Sequence, residues 1–481
     1  MPSSPLPVAC RALVARLRLL TLLILPLLAG VLHAPAAGAS TRQQMLFEAP
    51  RDLRDPAKRE ATFAEMASLG ARDLRVVLYW KDVAPSPTAR IRPKADLTDP
   101  ASYDWSVYEP ILDEAKARGI GVLLTVTGPV PVWATKGARD TVTRPSPDRF
   151  REFMVAVSRR FSAKIARYSI WNEPNLPQFL KPQYDRGRAV SPAIYRGLYD
   201  AALRGLTTAG YRRPVLMGET APNGAKPSSV APVAFLQGAL CLTSSYRRAR
   251  TCLPPRIDGW AHHPYTKREG PLKNPPTTRL VTIGVLSRLT AALDRAAKAK
   301  AIRRSVPLYL TEFGVQSVPD PVYGVPLETQ NAYRAIAEKI AYDTPRVAAI
   351  SQYLLTDDAP TGTGTRCCGG FESGLRTAAG VDKPAYEGFR LPVVAERRGS
   401  KVRLWGLVRP ATGVTTVTVE RRSGNGAWTT LGTRTTNSRG VWTSSSGNVA
   451  RGSWRVTWVA PDGTQYQSPG VPAYTWPARL R

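Results

Sequence analysis

Between residues 44 and 390 the chain repeats one alternation eight times: a short run rich in β-branched residues or leucine, then a stretch with helical periodicity. The runs fall at 45–47, 73–79, 121–126, 167–172, 214–218, 257–261, 307–311 and 347–354. Helical stretches lie between them at 56–69, 108–118, 147–163, 192–209, 277–300 and 327–342, several opened by Asp or Ser beside a Pro and closed near a Gly. A strand followed by a helix returns parallel to its predecessor, so eight such units predict an α/β fold, a (β/α)8 TIM barrel. In that architecture reactive side chains stand at the C-terminal ends of the strands.

After residue 391 the texture changes. Helix formers give way to short alternating runs at 401–408, 415–421, 428–435, 440–444 and 453–459, separated by Gly-Asn-Gly, Asn-Ser-Arg-Gly and Pro-Asp-Gly turns. Residues 391–481 therefore read as a small C-terminal all-β sandwich of Ig or fibronectin type, following the barrel at 40–390. Trp405, Trp428, Trp442, Trp454 and Trp458 are expected to fill its core, which makes it a spacer or stabilising module rather than a glycan binder. At the other end, Arg11, Arg16 and Arg18 precede an apolar run at 19–32, and Ala37-Gly38-Ala39 is a small-residue cleavage pattern. Residues 1–39 read as a secretory signal peptide, with no membrane span after its removal.

An oxidising destination permits disulfides, and Cys241 with Cys252 flank a short basic segment that a bridge would close. For the adjacent Cys367 and Cys368 a vicinal bridge, other pairings and free thiols all stay open. No Cys/His spacing suits a metal, and no cofactor is expected. The formal charge of +31 suits attraction to an anionic glycan or cell envelope, but no nucleic-acid motif accompanies it.

Two strand ends carry the chemistry. Glu173 follows the apolar Tyr168-Ser169-Ile170-Trp171, and Glu312 follows the run in PLYLTEFGVQS. If the barrel closes, both carboxyl groups face one mouth. Two facing carboxyl groups are the equipment for glycosidic bond cleavage: one protonates the leaving oxygen and the other attacks the anomeric carbon. Trp171-Asn172-Glu173-Pro174-Asn175 and Thr311-Glu312-Phe313-Gly314 resemble the paired signatures of clan A glycoside hydrolases, the retaining TIM-barrel families, most like family 39 and neighbouring family 5.

That resemblance implies a secreted retaining glycosidase acting on a β-linked poly- or oligosaccharide. In it Glu173 is the general acid/base, Glu312 the nucleophile, and Asn172 the partner of the sugar 2-hydroxyl. It also implies Arg75 beside the nucleophile, Tyr265 hydrogen-bonded to Glu312, and His263 steadying the site. Trp80, Trp133, Phe179 and Tyr353 are expected to offer rings to sugars at the mouth, and Glu219 to bind substrate hydroxyls. The chain departs from the clan at Ser351-Gln352-Tyr353, where a tryptophan is usual. The alternative function is a non-catalytic carbohydrate-binding or envelope protein on a degenerate barrel; the presence of both glutamates argues against it.

Overall fold

In the computed structural model, which describes residues 43–250, 252–359, 370–446 and 452–480, eight strands close into a barrel. They are β1 (Gln44–Glu48), β2 (Asp73–Tyr79), β3 (Gly121–Thr127), β4 (Arg167–Ile170), β5 (Val215–Thr220), β6 (Gly259–His262), β7 (Leu308–Leu310) and β8 (Val347–Tyr353). Every neighbouring pair is parallel, and β8 closes on β1 with Gln44 opposite Ala349 and Glu48 opposite Tyr353. The TIM barrel expected from the alternation is therefore the observed fold. The segment called a signal peptide and the Cys367-Cys368 pair lie outside the described residues.

The helices follow from their caps and stripes. Asp55 accepts from the Ala57 amide ahead of Pro56–Ser68, and Ser146 from the Arg149 amide ahead of Pro147–Phe161; proline is the first helical residue in each. In the second, Phe150, Phe153, Met154, Val157 and Phe161 recur at helical spacing and are all fully buried. One expected helix is shorter than its sequence pattern: only Ser287–Lys298 is α-helical within 277–300, after a single 3-10 turn at Ile283–Val285. Pro275 and Pro276 keep the start of that segment out of helix, and residues 276–279 form a bend and turn instead.

Inside the barrel, Leu46, Leu123, Leu216, Ala261, Tyr309 and Ala349 form a separate small apolar cluster. Leu46 and Leu123 lie two residues before Glu48 and Thr125 on their strands, so they fill the layer beneath those polar side chains.

The C-terminal strands are β9 (Val393–Arg398), β10 (Lys401–Leu407), β11 (Thr416–Arg422), β12 (Thr429–Thr435), β13 (Val441–Ser446), β14 (Ser453–Val459), β15 (Gln465–Gln467) and β16 (Val471–Thr475). Their order is β12-β11-β14-β16-β9-β10-β13, with β15 on β14, so β16 bridges the two halves. Val402, Leu404 and Trp442 from one half share a core with Val417, Val419, Trp454, Val456 and Trp458 from the other. Trp428 instead lies under the guanidinium groups of Arg422 and Arg455. The sandwich is fused to the barrel: Trp405 packs on Tyr342, and Val394, Trp405, Val441 and Trp476 belong to the main barrel core.

Candidate active site

Arg75, wholly buried on β2, organises the C-terminal mouth. Its Nη1 donates to Glu48 Oε2 at 2.7 Å and Glu312 Oε2 at 2.8 Å; its Nη2 donates to Asn172 Oδ1 and Glu219 Oε2, both at 2.8 Å. Nε donates to Thr125 Oγ1, whose hydroxyl donates in turn to Glu219 Oε1 at 2.8 Å. A planar fork with five N–H donors is the one side chain that can tie five strand ends together in this way.

Backbone geometry delivers the carboxylates to it. Pairing of β5 with β6 slips between Met217 and Thr220, and Gly218 takes φ +118° at the slip, where a Cβ would lie 2.4 Å from the Ala261 carbonyl oxygen. This bulge re-aims the next residue, and Glu219, itself at φ 45°, turns its carboxylate inward to Arg75. Glu173 and Trp171 after β4 also sit at positive φ, 39° and 72°. Strained backbone of this kind persists where the surroundings over-determine it. Here Trp171 is pinned by Phe150 and by its indole N–H on the Phe179 carbonyl.

The two proposed reacting groups meet across His263. Its Nδ1 lies 3.0 Å from Glu173 Oε1 and 3.8 Å from Glu312 Oε2. Those two oxygens can be no farther apart than the sum of these distances. That bound admits the roughly 5–5.5 Å separation of retaining pairs. Tyr265 O–H donates to Glu312 Oε1 at 2.6 Å. Both carboxyl groups keep a small opening to solvent, 14% for Glu173 and 13% for Glu312, into a cavity of about 360 Å³.

Their protonation is driven apart. Burial raises the Glu173 carboxyl above the ordinary range, and the charge of Glu312 adds to this against the pull of His263. Burial also pushes Glu312 up, but His263, Arg75 and the hydrogen bonds from Tyr265 and Arg75 outweigh it and hold the carboxylate below its ordinary value. His263 is depressed by burial and carried above its usual value by Glu312 and Glu173. Neighbouring His262 is different: burial lowers it to about 3, and its ring nitrogens engage Thr220 Oγ1 and the Val281 carbonyl, so it is a neutral core residue.

The structure relocates several residues chosen from sequence. Trp80 is fully buried, stacked 5.0 Å from Phe153, and Trp133 packs edge-on against it with its N–H on the Pro85 carbonyl, so neither offers a face to a sugar. Side chains alternate along β2, and Tyr79, in step with Arg75, lines the cavity that was assigned to Trp80. Glu219 is wholly buried beneath the site and saturated by Arg75 and Thr125, so it anchors the arginine instead of binding substrate hydroxyls. His263 likewise is wholly buried and acts on Glu173 rather than lining the cavity. Phe179, Tyr353, Asn172 and Arg75 do line it. Asn172 Oδ1 is taken by Arg75, which leaves its amide nitrogen as the donor for a ligand.

Sequence reading passed over Glu48. Its Oε1 accepts from Ser351 Oγ at 2.9 Å, and its pKa is raised to about 8 by burial, Arg75 opposing and Glu312 adding. The rule that found Glu173 and Glu312 would have found it too, because it ends the first apolar run. Among the described residues no cluster of His, Cys, Asp and Glu is arranged to hold a metal ion, and no helix is long and apolar enough to cross a membrane. Cys241 and Cys252 form a disulfide across the basic loop.

No family model matches the chain, and no curated protein does. Solved structures do. A glucosidase from Croceicoccus marinus is similar over 87% of this chain and 97% of its own, at 13% identity and TM-score 0.51. A β-glucuronidase from Bacteroides uniformis is similar over 91% of this chain at 13% identity and TM-score 0.46, but only 46% of that longer protein is covered. The β-glycosidase of Thermosphaera aggregans is 16% identical over 73% of this chain and 95% of its own, with TM-score 0.46. At such identities the likeness to the Croceicoccus enzyme establishes the shared barrel fold.

Proposed function

We propose that the protein is a retaining glycoside hydrolase acting on a β-linked poly- or oligosaccharide. The observation that carries this reading is the Glu173–Glu312 pair: two carboxyl groups within reach of one imidazole nitrogen, opening into one cavity, with pKa values pushed in opposite directions. The names of the structural neighbours, a glucosidase, a β-glucuronidase and a β-glycosidase, accord with it.

The reaction follows from the geometry. Glu312, ionised and held by Arg75 and Tyr265, attacks the anomeric carbon as Glu173 gives its proton to the leaving oxygen. The glycosyl ester on Glu312 then carries no charge, so Glu173 loses the neighbour that raised its pKa and takes a proton from the attacking water. Asn172 has its amide nitrogen free for the sugar, and Tyr79, Phe179 and Tyr353 provide apolar wall. The leader-like residues 1–39 and the disulfide accord with secretion. The basic surface accords with retention on an anionic glycan or envelope. The C-terminal sandwich, sharing core with the barrel, acts as a stabilising module.

Aryl β-glycosides and plant or microbial polysaccharides offered to the wild type, Glu173→Ala and Glu312→Ala test the proposal. Both variants should fold and lose turnover, and azide should rescue Glu312→Ala with an inverted glycosyl azide as product. Turnover that survives in both variants refutes the assignment.

A further inference from the structure

The wall of the catalytic cavity holds two arginines that the mechanism leaves without a task. Arg51 and Arg54 lie on the short helix Pro50–Arg54 that follows β1, three residues apart and so on one side of the turn. Both line the same cavity as Glu48, Glu173 and Glu312.

Their partners account for only part of their charge. Arg51 donates from Nη1 to the main-chain oxygen of Asp357 at 2.6 Å and, among the described residues, has no carboxylate within ion-pair distance. Arg54 donates to Tyr108 O–H at 2.8 Å and lies over the Tyr108 and Tyr79 rings; its one acidic neighbour, Asp82, is 3.5 Å away on a half-exposed side chain. Arg75, by contrast, is saturated by Glu48, Glu219 and Glu312. Of the carboxyl groups on the cavity wall, burial raises Glu173 and Glu48, and Glu312, which is held low, is already answered by Arg75. A larger cavity beside it, about 700 Å³ and sharing Phe371, balances Lys267 and Lys273 against Glu269 and Asp320.

Filling the catalytic cavity with a neutral sugar would strip water from the Arg51 guanidinium without returning a counter-charge, which is costly. A carboxylate or sulfate ester would return it, in the forked geometry that arginine favours. We infer that Arg51 and Arg54 form an anion-recognition pair, and that the glycan cleaved here carries a carboxylate or sulfate ester on a sugar bound in the catalytic cavity. This rests on the hydrolase reading and names the substrate class of that same site.

The experiment compares matched p-nitrophenyl glycosides: β-D-glucoside with β-D-glucuronide, and β-D-galactoside with its 6-sulfate. For the wild type, kcat/KM on one anionic member should exceed that on its neutral partner by about 10- to 100-fold, the worth of one or two charge-assisted hydrogen bonds. The uronide and sulfate arms distinguish the two sources of charge. Arg51→Gln with Arg54→Gln should bring the anionic-to-neutral ratio down toward one, while Arg51→Lys with Arg54→Lys keeps part of it. A neutral preference, or a ratio that the glutamine pair does not move, overturns the inference and leaves the hydrolase reading standing. Should no glycoside turn over, the hydrolase reading fails separately. Calorimetry with methyl β-D-glucuronide, methyl β-D-glucoside and methyl β-D-galactoside 6-sulfate then decides anion recognition, which is overturned if neither anionic glycoside binds more tightly than the glucoside.

Discussion

At the mouth of the barrel, buried Arg75 faces Glu48, Glu219 and Glu312; beneath the C-terminal strands, buried Glu338 faces Arg334 and Arg409. The same two side-chain types build both clusters. In the second, Arg409 holds Glu338 through both oxygens at 2.6 and 2.7 Å, Arg334 adds a contact at 3.1 Å, and both guanidinium groups cover Phe389 while donating to the Gly388 and Phe389 carbonyls. Burial raises Glu338, yet two cations more than reverse this and hold it below its ordinary value. At the mouth the ratio is inverted, with several acids sharing Arg75, so burial and mutual repulsion raise Glu173 and Glu48 while Glu312 is held low. An excess of acid over base gives a site that can pass a proton. An excess of base over acid gives a joint that fastens the helices Leu327–Tyr342 and Pro384–Arg390 to the turn at Arg409.

The sharpest break in this contrast is at the nucleophile. Glu312→Ala should lower kcat by roughly 10⁶-fold, the scale of other nucleophile deletions, with the fold retained by circular dichroism. Glu173→Ala should cost about 10²–10⁴-fold, least on substrates whose leaving group needs no proton, read by comparing aryl groups of different acidity. At the joint, Glu338→Ala leaves two buried guanidinium groups facing each other and should cost ~3–5 kcal/mol in denaturant unfolding without altering the pH–rate profile. The sign of its pH dependence is fixed: the folded pKa lies below the ordinary 4.5, so Glu338 contributes stability above that pH and the contribution is lost as pH falls. The gap between wild type and variant should therefore narrow in acid.

The smallest effect is the most diagnostic. Tyr265→Phe removes a hydrogen bond to the ionised Glu312, which should raise its pKa, move the acid limb of the rate profile upward and lower kcat/KM by about tenfold. Activity in the wild type should fall in acid as Glu312 takes a proton and fall in alkali as Glu173 loses one above the ordinary carboxyl range. A profile flat through both regions would falsify the division of labour between the two glutamates.

Where sequence reading succeeded, the signal was local. The apolar run, the break and the acid at Tyr168 to Glu173 and again at Leu308 to Glu312 lie within a few residues, and the helix Leu327–Tyr342 coincides with its periodic stretch. Its failures were one-residue and long-range. Proximity to the strand end suggests Trp80 for the mouth, but the strand ends with Tyr79 facing the cavity, and Trp80, opening the next helical turn, stacks on Phe153. The strands Val393–Arg398 and Val471–Thr475 escaped notice because one ends in charges and the other contains Pro472, features that usually mark a loop. They are strands because each finds the other, Ala395 against Ala473, across the whole C-terminal region.

By itself the sequence determined the alternation, and with it the barrel and the strand ends on which the carboxyl groups stand, since periodicity and burial act over neighbouring residues. Only the closed structure decided which of those acids keep a proton. Protonation depends on how many carboxylates share Arg75 and how far water is excluded from them, and both are fixed by residues that lie up to hundreds of positions apart in the chain.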